Sequence, residues 1–332
     1  MNIGDIGEFA LIQELSNVLG TPSSSNPELL LSIGDDAAAW KSSVGITTLS
    51  TDTLVEGTHF ELDWMGWSDI GWKAVAVNLS DVAAMGCVPS YGVVTLGLRQ
   101  DMTVEGVKSI YEGISKACIE FGIQIVGGDT VESPTLFITI AVMGHMDKDD
   151  TLMTRGGACI GDLVAVTGNL GRSSAGLRIL QGTDKVHKHS SNNIFTESQK
   201  RPTPRLKEGR ELVKAGVLAA MDLSDGLITD MGKICEASGV GISIDVGSIP
   251  VDAHLQTVFP DDWLDLAMTM GEDYELVFTA SKDKIDLVNS KIDIPVTVIG
   301  QVTDTPREVI VKSASGETID VQGKGWSHFS SA

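Results

Sequence analysis

Five short acidic segments, each beside glycine, serine or threonine, are spread over more than half of the chain. They occupy residues 34–36, 50–53, 79–81, 127–130 and 222–226. Carboxylates next to small residues on separate elements suit a hard cation such as Mg²⁺, whose oxygen shell is shared among carboxylates, waters and phosphate oxygens. For any single segment the alternative is an ordinary turn or helix cap, where aspartate is common. Five together favour metal-dependent phosphate chemistry, so the fold must bring distant segments to one site.

The length and the charge of the chain limit its architecture and its partners. A chain of 332 residues exceeds what one hydrophobic core usually supports, so two domains are expected. The formal net charge of -21 argues against nucleic acid or an anionic membrane as a partner. Clustered carboxylates would repel a nucleotide unless divalent cations neutralised them. The composition and the proposed metal site therefore imply one another.

The cysteines and the N-terminus give no sign of a secreted or zinc-binding protein. Cys87, Cys118, Cys159 and Cys235 lie far apart without zinc-ligand spacing, and we expect them to be buried free thiols. The N-terminus carries no basic region before an apolar run, and no apolar stretch is long enough to span a membrane. These patterns predict a cytoplasmic location.

The first half of the chain predicts strands that alternate with helices. A β-branched strand over residues 46–51 is expected to end at Asp52. A helix capped by Ser68 would place Asp81 on the same face as several apolar residues, where a carboxylate is costly unless a cation or a strong donor meets it. A second helix over residues 104–121 leads to a short strand and a turn at residues 127–129.

The second half predicts strands, glycine-rich turns and helices in succession. Gly168 and Gly171 are interpreted as a structural turn, and residues 182–200 as a mobile loop. Asp222 is expected to open a helix that ends at Gly239. A helix start favours an anion while Asp222 and Asp225 favour a cation, so a metal–phosphate complex would satisfy both.

Seven motifs over most of the chain resemble the thiamine-monophosphate kinase family, which is grouped with aminoimidazole ribonucleotide synthetase and selenophosphate synthetase. They lie at residues 33–38, 50–60, 76–86, 126–130, 222–227, 271–276 and 325–329. The resemblance implies an α/β (α+β) fold of two domains and the transfer of the ATP γ-phosphoryl group to thiamine monophosphate, the last step of thiamine diphosphate biosynthesis. Residues 1–150 would bind ATP and Mg²⁺ and form a homodimer in which a sheet from each subunit closes a barrel. Residues 151–332 would complete the nucleotide and substrate site.

The same resemblance implies roles for individual residues. Several Mg²⁺ ions would be held by Asp36, Thr51, Asp52, Asp81, Asp129, Asp222 and Asp225. ATP would contact Tyr111, Gly128, Asp129, Arg155 and Ser224, and thiamine monophosphate would contact His59, Glu272 and Trp326. The catalytic set would be Asp52, Asp129 and Arg155. The alternatives are that Trp326 is an apolar anchor and that His59 is a capping or core histidine.

Two other functions remain open on the sequence alone. A related enzyme could share the metal segments and use a different acceptor, because a fold does not fix a function. A selenophosphate synthetase would carry a reactive cysteine near its N-terminus, whereas the first cysteine here is Cys87. The other alternative is a non-catalytic protein that binds a nucleotide or divalent metal on the same scaffold.

Overall fold

The computed structural model describes residues 29–31, 35–42, 45–182, 192–313, 315–319 and 325 of the chain. These residues form two mixed β-sheets with helices packed around them, which confirms the predicted α/β (α+β) class with two domains. The boundary near residue 150 stays a prediction. Among the described residues, no helix combines the length and the apolar composition that crossing a bilayer requires.

The first sheet has six strands. They are β1 (Leu29–Leu31), β2 (Ala38–Ser42), β3 (Gly45–Val55), β4 (Val88–Leu98), β5 (Gln124–Glu132) and β6 (Phe137–Asp147). The spatial order is β1-β2-β3-β6-β4-β5, and of these pairs only β4 and β5 run parallel. Alternate residues of a strand point to opposite faces, and Ile138, Ile140 and Val142 of β6 are fully buried. One face of this sheet therefore covers the core, under helices α1 (Trp67–Ala84) and α2 (Val104–Phe121).

The second sheet has seven strands in the order β13-β12-β9-β11-β7-β10-β8. They are β7 (Leu163–Thr167), β8 (Ala219–Asp222), β9 (Gly241–Asp245), β10 (Leu276–Ala280), β11 (Val296–Thr303), β12 (Val309–Lys312) and β13 (Thr318–Ile319). The helices of this part are α3 (Arg172–Gln181), α4 (Asn192–Lys200), α5 (Leu206–Lys214), α6 (Leu227–Ser238), α7 (Ala253–Val258), α8 (Trp263–Met268) and α9 (Lys282–Asn289). Only β9 and β12 run parallel among the paired strands.

Helix α1 lies between the two halves of the molecule. It packs on β3 and β6 of the first sheet and on α5 and β8 of the second half. A helix that is covered on several sides must be apolar around most of its circumference, and most residues of α1 are buried. Any polar side chain on α1 is therefore held inside the protein, where it needs a partner. This placement brings Asp81 to the junction of the two sheets.

Three boundaries differ from the sequence-based expectations. Strand β3 continues past Asp52 to Val55, because its outer half still pairs with β6 residue by residue. The expected turn at residues 127–129 is part of strand β5, which pairs with β4. Helix α1 begins at Trp67, so Ser68 lies inside it and the N-cap is Gly66. In the two strand cases, pairing over a long sequence distance overrides the local signal.

Three further expectations are corrected, two of them in the second half. Asp222 is the last residue of β8, and the helix after it begins only at Leu227, although it does end at Gly239. Part of the expected loop at 182–200 is helix α4, while residues 183–191 lie outside the described residues. The cysteines are free as predicted, but Cys159 is exposed and Cys118 is only half-buried.

Candidate active site

Three carboxylates from distant parts of the chain meet where the two sheets approach each other. Asp36 precedes β2, Asp81 lies on α1, and Asp222 ends β8. Each offers one oxygen atom, and these three oxygens lie within 4.8 Å of one another. Like charges this close repel strongly inside a protein. The group therefore needs protons, hydroxyl donors or cations to persist.

Two serine hydroxyls support this group. Ser50 Oγ of β3 donates to Asp81 Oδ2 and, at 3.1 Å, to the backbone carbonyl of Asp36. Ser80 Oγ of α1 donates to Asp222 Oδ2 at 2.6 Å. The carboxylate of Asp81 thus meets the strong donor that its position on a core-facing helix requires.

Burial and mutual repulsion favour the protonated forms when no metal is bound. Burial, followed by the carboxylates of Asp52, Asp222 and Asp36, raises the pKa of Asp81 well above its ordinary value. Burial and the Asp36 carboxylate likewise raise the pKa of Asp222, against the opposing effect of the Ser80 hydroxyl. Since a bound cation would reverse these shifts, both carboxyls are suited to exchange a proton for a metal ion.

Arg155 supplies the positive charge next to Asp36. Its Nη2 and Nε both donate to Asp36 Oδ1, Nε at 3.2 Å. Its backbone N–H points to the carboxylate of Asp35, with distances of 3.3 and 3.4 Å to the two oxygens. Burial disfavours the charged guanidinium, but Asp36 and Asp35 outweigh this and raise the pKa of Arg155. A permanent cation is therefore fixed beside the carboxylate group.

Asp36 also has an oxygen that the described part of the protein does not satisfy. Its Oδ2 is buried without a hydrogen-bond partner among the described residues. An unsatisfied buried carboxylate oxygen is costly and calls for an explanation such as an ion. Together with the oxygen-only chemistry of its neighbours, this orphaned atom fits a hard divalent cation.

Asp52 and Asp225 extend the group toward solvent. Asp52 is exposed at the edge of the group, yet desolvation by the surrounding protein, followed by the charges of Asp225 and Asp36, raises its pKa to about 6. Its backbone N–H donates to Asn78 Oδ1 of α1 at 2.8 Å. Asp225 Oδ2 is paired with Lys233 Nζ at 2.6 Å. Asp36, Asp52, Asp81, Asp222 and Asp225 therefore belong to one electrostatic unit, called here the carboxylate group.

The turn that carries Ser224 and Asp225 is held by its backbone. Asp230 Oδ2 accepts the N–H groups of Ser224 and Asp225 at 3.1 and 3.0 Å. On the other side, the N–H groups of Glu272 and Tyr274 donate to the carbonyls of Ser224 and Leu223, each at 2.9 Å. The turn is thus clamped between α6 and the segment before β10.

Tyr274 links Glu272 to the carboxylate group. Its side chain is buried, and burial, followed by the charges of Glu272, Asp52, Asp222 and Asp225, raises its pKa well above the ordinary value. The backbone N–H of Glu272 donates to the carbonyl of Ser224, next to Asp225 in the turn after β8. The structure therefore brings the predicted substrate residue Glu272 to the edge of the carboxylate group.

Asp129 and Thr51 lie on the other face of the first sheet. Asp129 is opposite Thr95, Thr139 and Thr53 across the strands, whereas Asp52 is opposite the buried residue Ile140. Thr51 shares the face of Asp129, and its hydroxyl donates to the carbonyl of Ile140 at 3.1 Å. In the described chain these two residues are therefore not joined to the carboxylate group, and their roles stay predictions.

The remaining predicted nucleotide and substrate residues are more dispersed. Gly128 sits in β5, and Tyr111 lies on α2, where it lines a shallow depression with Lys108 and Lys116. His59 follows β3, and its Nδ1 accepts the backbone N–H of Val55, the last residue of that strand, at 3.1 Å. His59 therefore caps the end of β3, and a neutral imidazole in this contact carries its proton on Nε2. Trp326 lies outside the described residues.

The sequence reasoning missed several side chains in and around the carboxylate group. They are Lys73, Asn78, Ser80, Tyr274 and Lys233. A signal existed for the first three, because each is a polar residue in the otherwise apolar helix α1. A polar residue at a core position marks either a structural pair or a functional site.

Comparison with known proteins shows the family to which the chain belongs. The family described as AIR synthase related protein matches in two parts, its N-terminal domain over residues 34–146 and its C-terminal domain over residues 160–313. A thiamine-monophosphate kinase from Escherichia coli O157:H7 is 37% identical over 97% of this chain and 98% of its own length. The thiamine-monophosphate kinase of Bacillus subtilis (strain 168) is 34% identical over 90% of this chain and 93% of its own length.

A solved structure extends the likeness to three dimensions. The structure described as AaThiL complexed with AMPPCP and TMP has a TM-score of 0.87 and 32% identity, covering 99% of both chains. The motifs, the two-sheet fold and this full-length similarity lead to the same result: the chain belongs to the thiamine-monophosphate kinase family, within the AIR synthase related proteins.

Proposed function

We propose that this chain transfers the γ-phosphoryl group of ATP to thiamine monophosphate and forms ADP and thiamine diphosphate. The observation that carries this proposal is the meeting of Asp36, Asp81 and Asp222 at one point, in a chain that aligns with thiamine-monophosphate kinases over nearly its whole length. The relative solved with AMPPCP and TMP supports ATP and thiamine monophosphate as the two substrates.

The carboxylate group would hold several Mg²⁺ ions. Its five acids offer only oxygen donors, and the orphaned Asp36 Oδ2 faces no protein donor among the described residues. Bound Mg²⁺ supplies charge neutralisation between phosphates that otherwise repel each other. The protein's part is to fix the acids through Ser50, Ser80 and Asn78, so that little rearrangement is needed when the substrates bind.

Arg155 would contribute a fixed positive charge to the transferring group. Asp36 contacts its Nε and Nη2, while a guanidinium has five N–H donors in a planar fork. One side chain can therefore bind Asp36 and a phosphate oxygen together. No general base is required, because the acceptor phosphate carries about -1.5 to -2 charge near neutral pH and is already a nucleophile.

The acceptor would bind beside Glu272. Thiamine monophosphate carries a cationic thiazolium ring, which a carboxylate complements, and His59 would line the same site. Trp326 would stack on a ring of the substrate. Gly325, the residue before it, donates its N–H to Thr229 Oγ1 of α6 at 3.0 Å, which supports this location near the 222–226 turn.

The nucleotide would be bound by Tyr111, Gly128, Asp129, Arg155 and Ser224. Because Asp129 and Thr51 share the sheet face opposite Asp52, any Mg²⁺ they hold would be a different ion from one held by Asp81 and Asp222.

We also infer that the chain forms a homodimer through the first sheet. Leu49, Tyr91 and Val93, on the face away from α1, are 41%, 50% and 43% exposed. The edge strand β5 adds Val126 and Val131, which are 61% and 40% exposed. A large apolar face on a sheet favours association, and a matching sheet from a second copy would close the predicted barrel.

The test of the proposed activity is direct. Purified protein is incubated with ATP, Mg²⁺ and thiamine monophosphate, and ADP and thiamine diphosphate are followed together by chromatography, with an EDTA control. Equal amounts of both products, formed only with metal, are expected. ADP without thiamine diphosphate would contradict the acceptor, and no turnover at all would favour a non-catalytic nucleotide-binding protein.

A further inference from the structure

Lys73 is a fully buried cation with no role in the proposed contacts to metal, nucleotide or acceptor. It lies on α1 with 0% exposure, between apolar neighbours such as Ala74 and Val77. Removing an ammonium group from water is expensive unless a charged partner compensates. The partner is Glu272, whose Oε1 lies 2.7 Å from Lys73 Nζ in an ion pair, while Nζ makes no hydrogen bond of regular geometry to any described residue.

The second oxygen of Glu272 is held from another element. Gln199 Nε2 of α4 donates to Glu272 Oε2 at 2.7 Å, and Gln199 is itself only 1% exposed. The hydroxyl of Ser173, on α3, donates to the amide oxygen of Gln199 and so fixes its orientation. Both carboxylate oxygens of Glu272 are thus oriented by buried groups, one from each half of the chain.

The backbone of Glu272 is constrained as well. Glu272 has a φ of 61° and Tyr274 a φ of 51°, a region that residues other than glycine rarely occupy. The Glu272 N–H donates to the carbonyl of Ser224, in the turn that follows Asp222. Both the side chain and the backbone of Glu272 are therefore held in place, which fixes its carboxylate relative to the carboxylate group.

The electrostatic setting explains why a cation is needed there. Glu272 acts on the same buried phenol, Tyr274, as Asp52, Asp222 and Asp225, so it lies among like charges. Without a counter-charge, these carboxylates would push the Glu272 side chain toward solvent, to which 24% of it is already exposed. An ion pair with a buried lysine holds it in place while its exposed edge stays available to a ligand.

We propose that Lys73 is a positioning residue for the acceptor: its ion pair fixes the Glu272 carboxylate where the cationic ring of thiamine monophosphate binds. The inference rests on the proposed function. Lys73 does not touch the substrate. It acts through Glu272, so its loss should weaken binding of the acceptor and leave binding of ATP nearly unchanged.

The first experiment compares Lys73→Met with Lys282→Met. Lys282 forms an exposed ion pair with Asp286 on α9, so the second variant makes the same chemical change away from the site. Lys73→Met is expected to raise KM for thiamine monophosphate about tenfold or more while KM for ATP changes less than about threefold. Lys282→Met should leave both values unchanged. An equal rise in both KM values, or no rise, would overturn the inference.

A double-mutant cycle separates positioning from general damage to the fold. Glu272→Gln alone should raise KM for thiamine monophosphate, and adding Lys73→Met should raise it by less than about twofold more, because the two residues act as one unit. Two full, multiplying increases would show that Lys73 acts by another route and would overturn the proposal.

A second variant covers the case in which Lys73→Met does not fold. Gln199→Met removes the other donor to Glu272 and should produce the same selective rise in KM for thiamine monophosphate. An unchanged KM for thiamine monophosphate in this variant would contradict the proposal that Lys73 and Gln199 hold the Glu272 carboxylate in place for the acceptor. Wild-type protein that makes no thiamine diphosphate would overturn the proposed function together with this inference. If the wild type is active and the variants keep its KM for thiamine monophosphate, the inference alone is overturned.

Discussion

At the scale of single residues, the arrangement of the carboxylate group suits cation binding and makes the metal-free protein less stable. Asp36, Asp81 and Asp222 would repel one another if all were ionised, and their oxygens lie within 4.8 Å. The serines and Arg155 reduce this repulsion only in part, since Asp36 Oδ2 keeps no partner among the described residues. Removing one acid should therefore weaken metal binding far more than it weakens the fold.

Asp222→Asn tests this balance. The amide oxygen can still accept the Ser80 hydroxyl, but the substitution removes one negative charge from the proposed metal site. Turnover should fall at least about tenfold because the charge that binds Mg²⁺ is lost, while the melting temperature without Mg²⁺ stays the same or rises. Asp286→Asn, at an exposed site on α9, is the matched control. Near-normal turnover of Asp222→Asn, measured by product chromatography, would contradict the metal assignment.

The raised pKa values predict how pH and Mg²⁺ compete. The pKa of Asp52 is raised from 3.8 to about 6, so between these values the folded, metal-free protein binds more protons than the unfolded chain. The free energy of unfolding contributed by this group therefore falls as pH rises through that window, and the shifts of Asp81 and Asp222 act in the same direction.

Mg²⁺ would bind the ionised carboxylates, so its stabilising effect should have the opposite pH dependence. The rise in melting temperature on adding Mg²⁺ should be small at about pH 5 and clearly larger at about pH 7.5. Thermal melts with Mg²⁺ and with EDTA across this range measure it. A rise that is the same at every pH would show that protons and Mg²⁺ do not share these groups.

At the scale of helices and strands, local patterns identified the carboxylates but only some of the elements that carry them. Asp81 was correctly placed on a core-facing helix, because the apolar spacing of α1 is a local property. The extension of β3 to Val55 was missed, because it depends on pairing with β6, more than 80 residues further along the chain. The support from Ser80 to Asp222 joins residues 142 positions apart, which no local pattern encodes.

The glycines of β5 show why a turn signal can be wrong. Residues 127–129 look like a turn, yet a Cβ on Gly128 would lie 2.0 Å from the carbonyl oxygen of Val94. Glycine is required there because the backbones of β4 and β5 approach too closely for a side chain. Glycine is therefore favoured both in turns and at such close contacts. The sequence alone cannot separate these two uses, since both favour glycine beside aspartate.

In the segment before β10, glycine is required both for its backbone conformation and for a close contact. Gly271 has a φ of 75°, and a Cβ there would lie 2.3 Å from the carbonyl oxygen of Ser224. Gly239, at the end of α6, has a φ of 68°, but a Cβ would meet nothing within 4 Å. Alanine should cost about 1 kcal/mol at Gly239 through backbone strain alone. At Gly271 it should cost more, because the 222–226 turn must also move.

The comparison of Gly271→Ala with Gly239→Ala therefore isolates the turn. We expect Gly271→Ala to lower turnover at least about tenfold, because displaced catalytic groups lose their alignment, while Gly239→Ala keeps most of its activity. Melting temperatures and product formation are measured on both. Equal activity in the two variants would mean that the contact between Gly271 and Ser224 does not position the site.

At the scale of the whole molecule, the described residues cover one face of the first sheet and leave the other uncovered. The uncovered face runs across β3, β6, β4 and β5, with Leu49, Met143 and Tyr91 in one row and Thr53, Thr139, Thr95 and Asp129 in another. In a monomer the apolar rows would stay in water. In a homodimer they would be buried, and Asp129 would lie close to the second subunit. The predicted role of Asp129 is thus tied to association.

Val93→Glu tests the association at this face. Val93 is 43% exposed in the single chain, so a glutamate there costs little in a monomer but would be buried and unpaired between two sheets. Leu287→Glu on α9, at a residue 46% exposed, is the control. Light scattering after size-exclusion chromatography should show a dimer for the wild type and for Leu287→Glu and a monomer for Val93→Glu. If Asp129 works only in the dimer, the monomeric variant should also lose turnover, whereas an active monomer would confine the site to one chain.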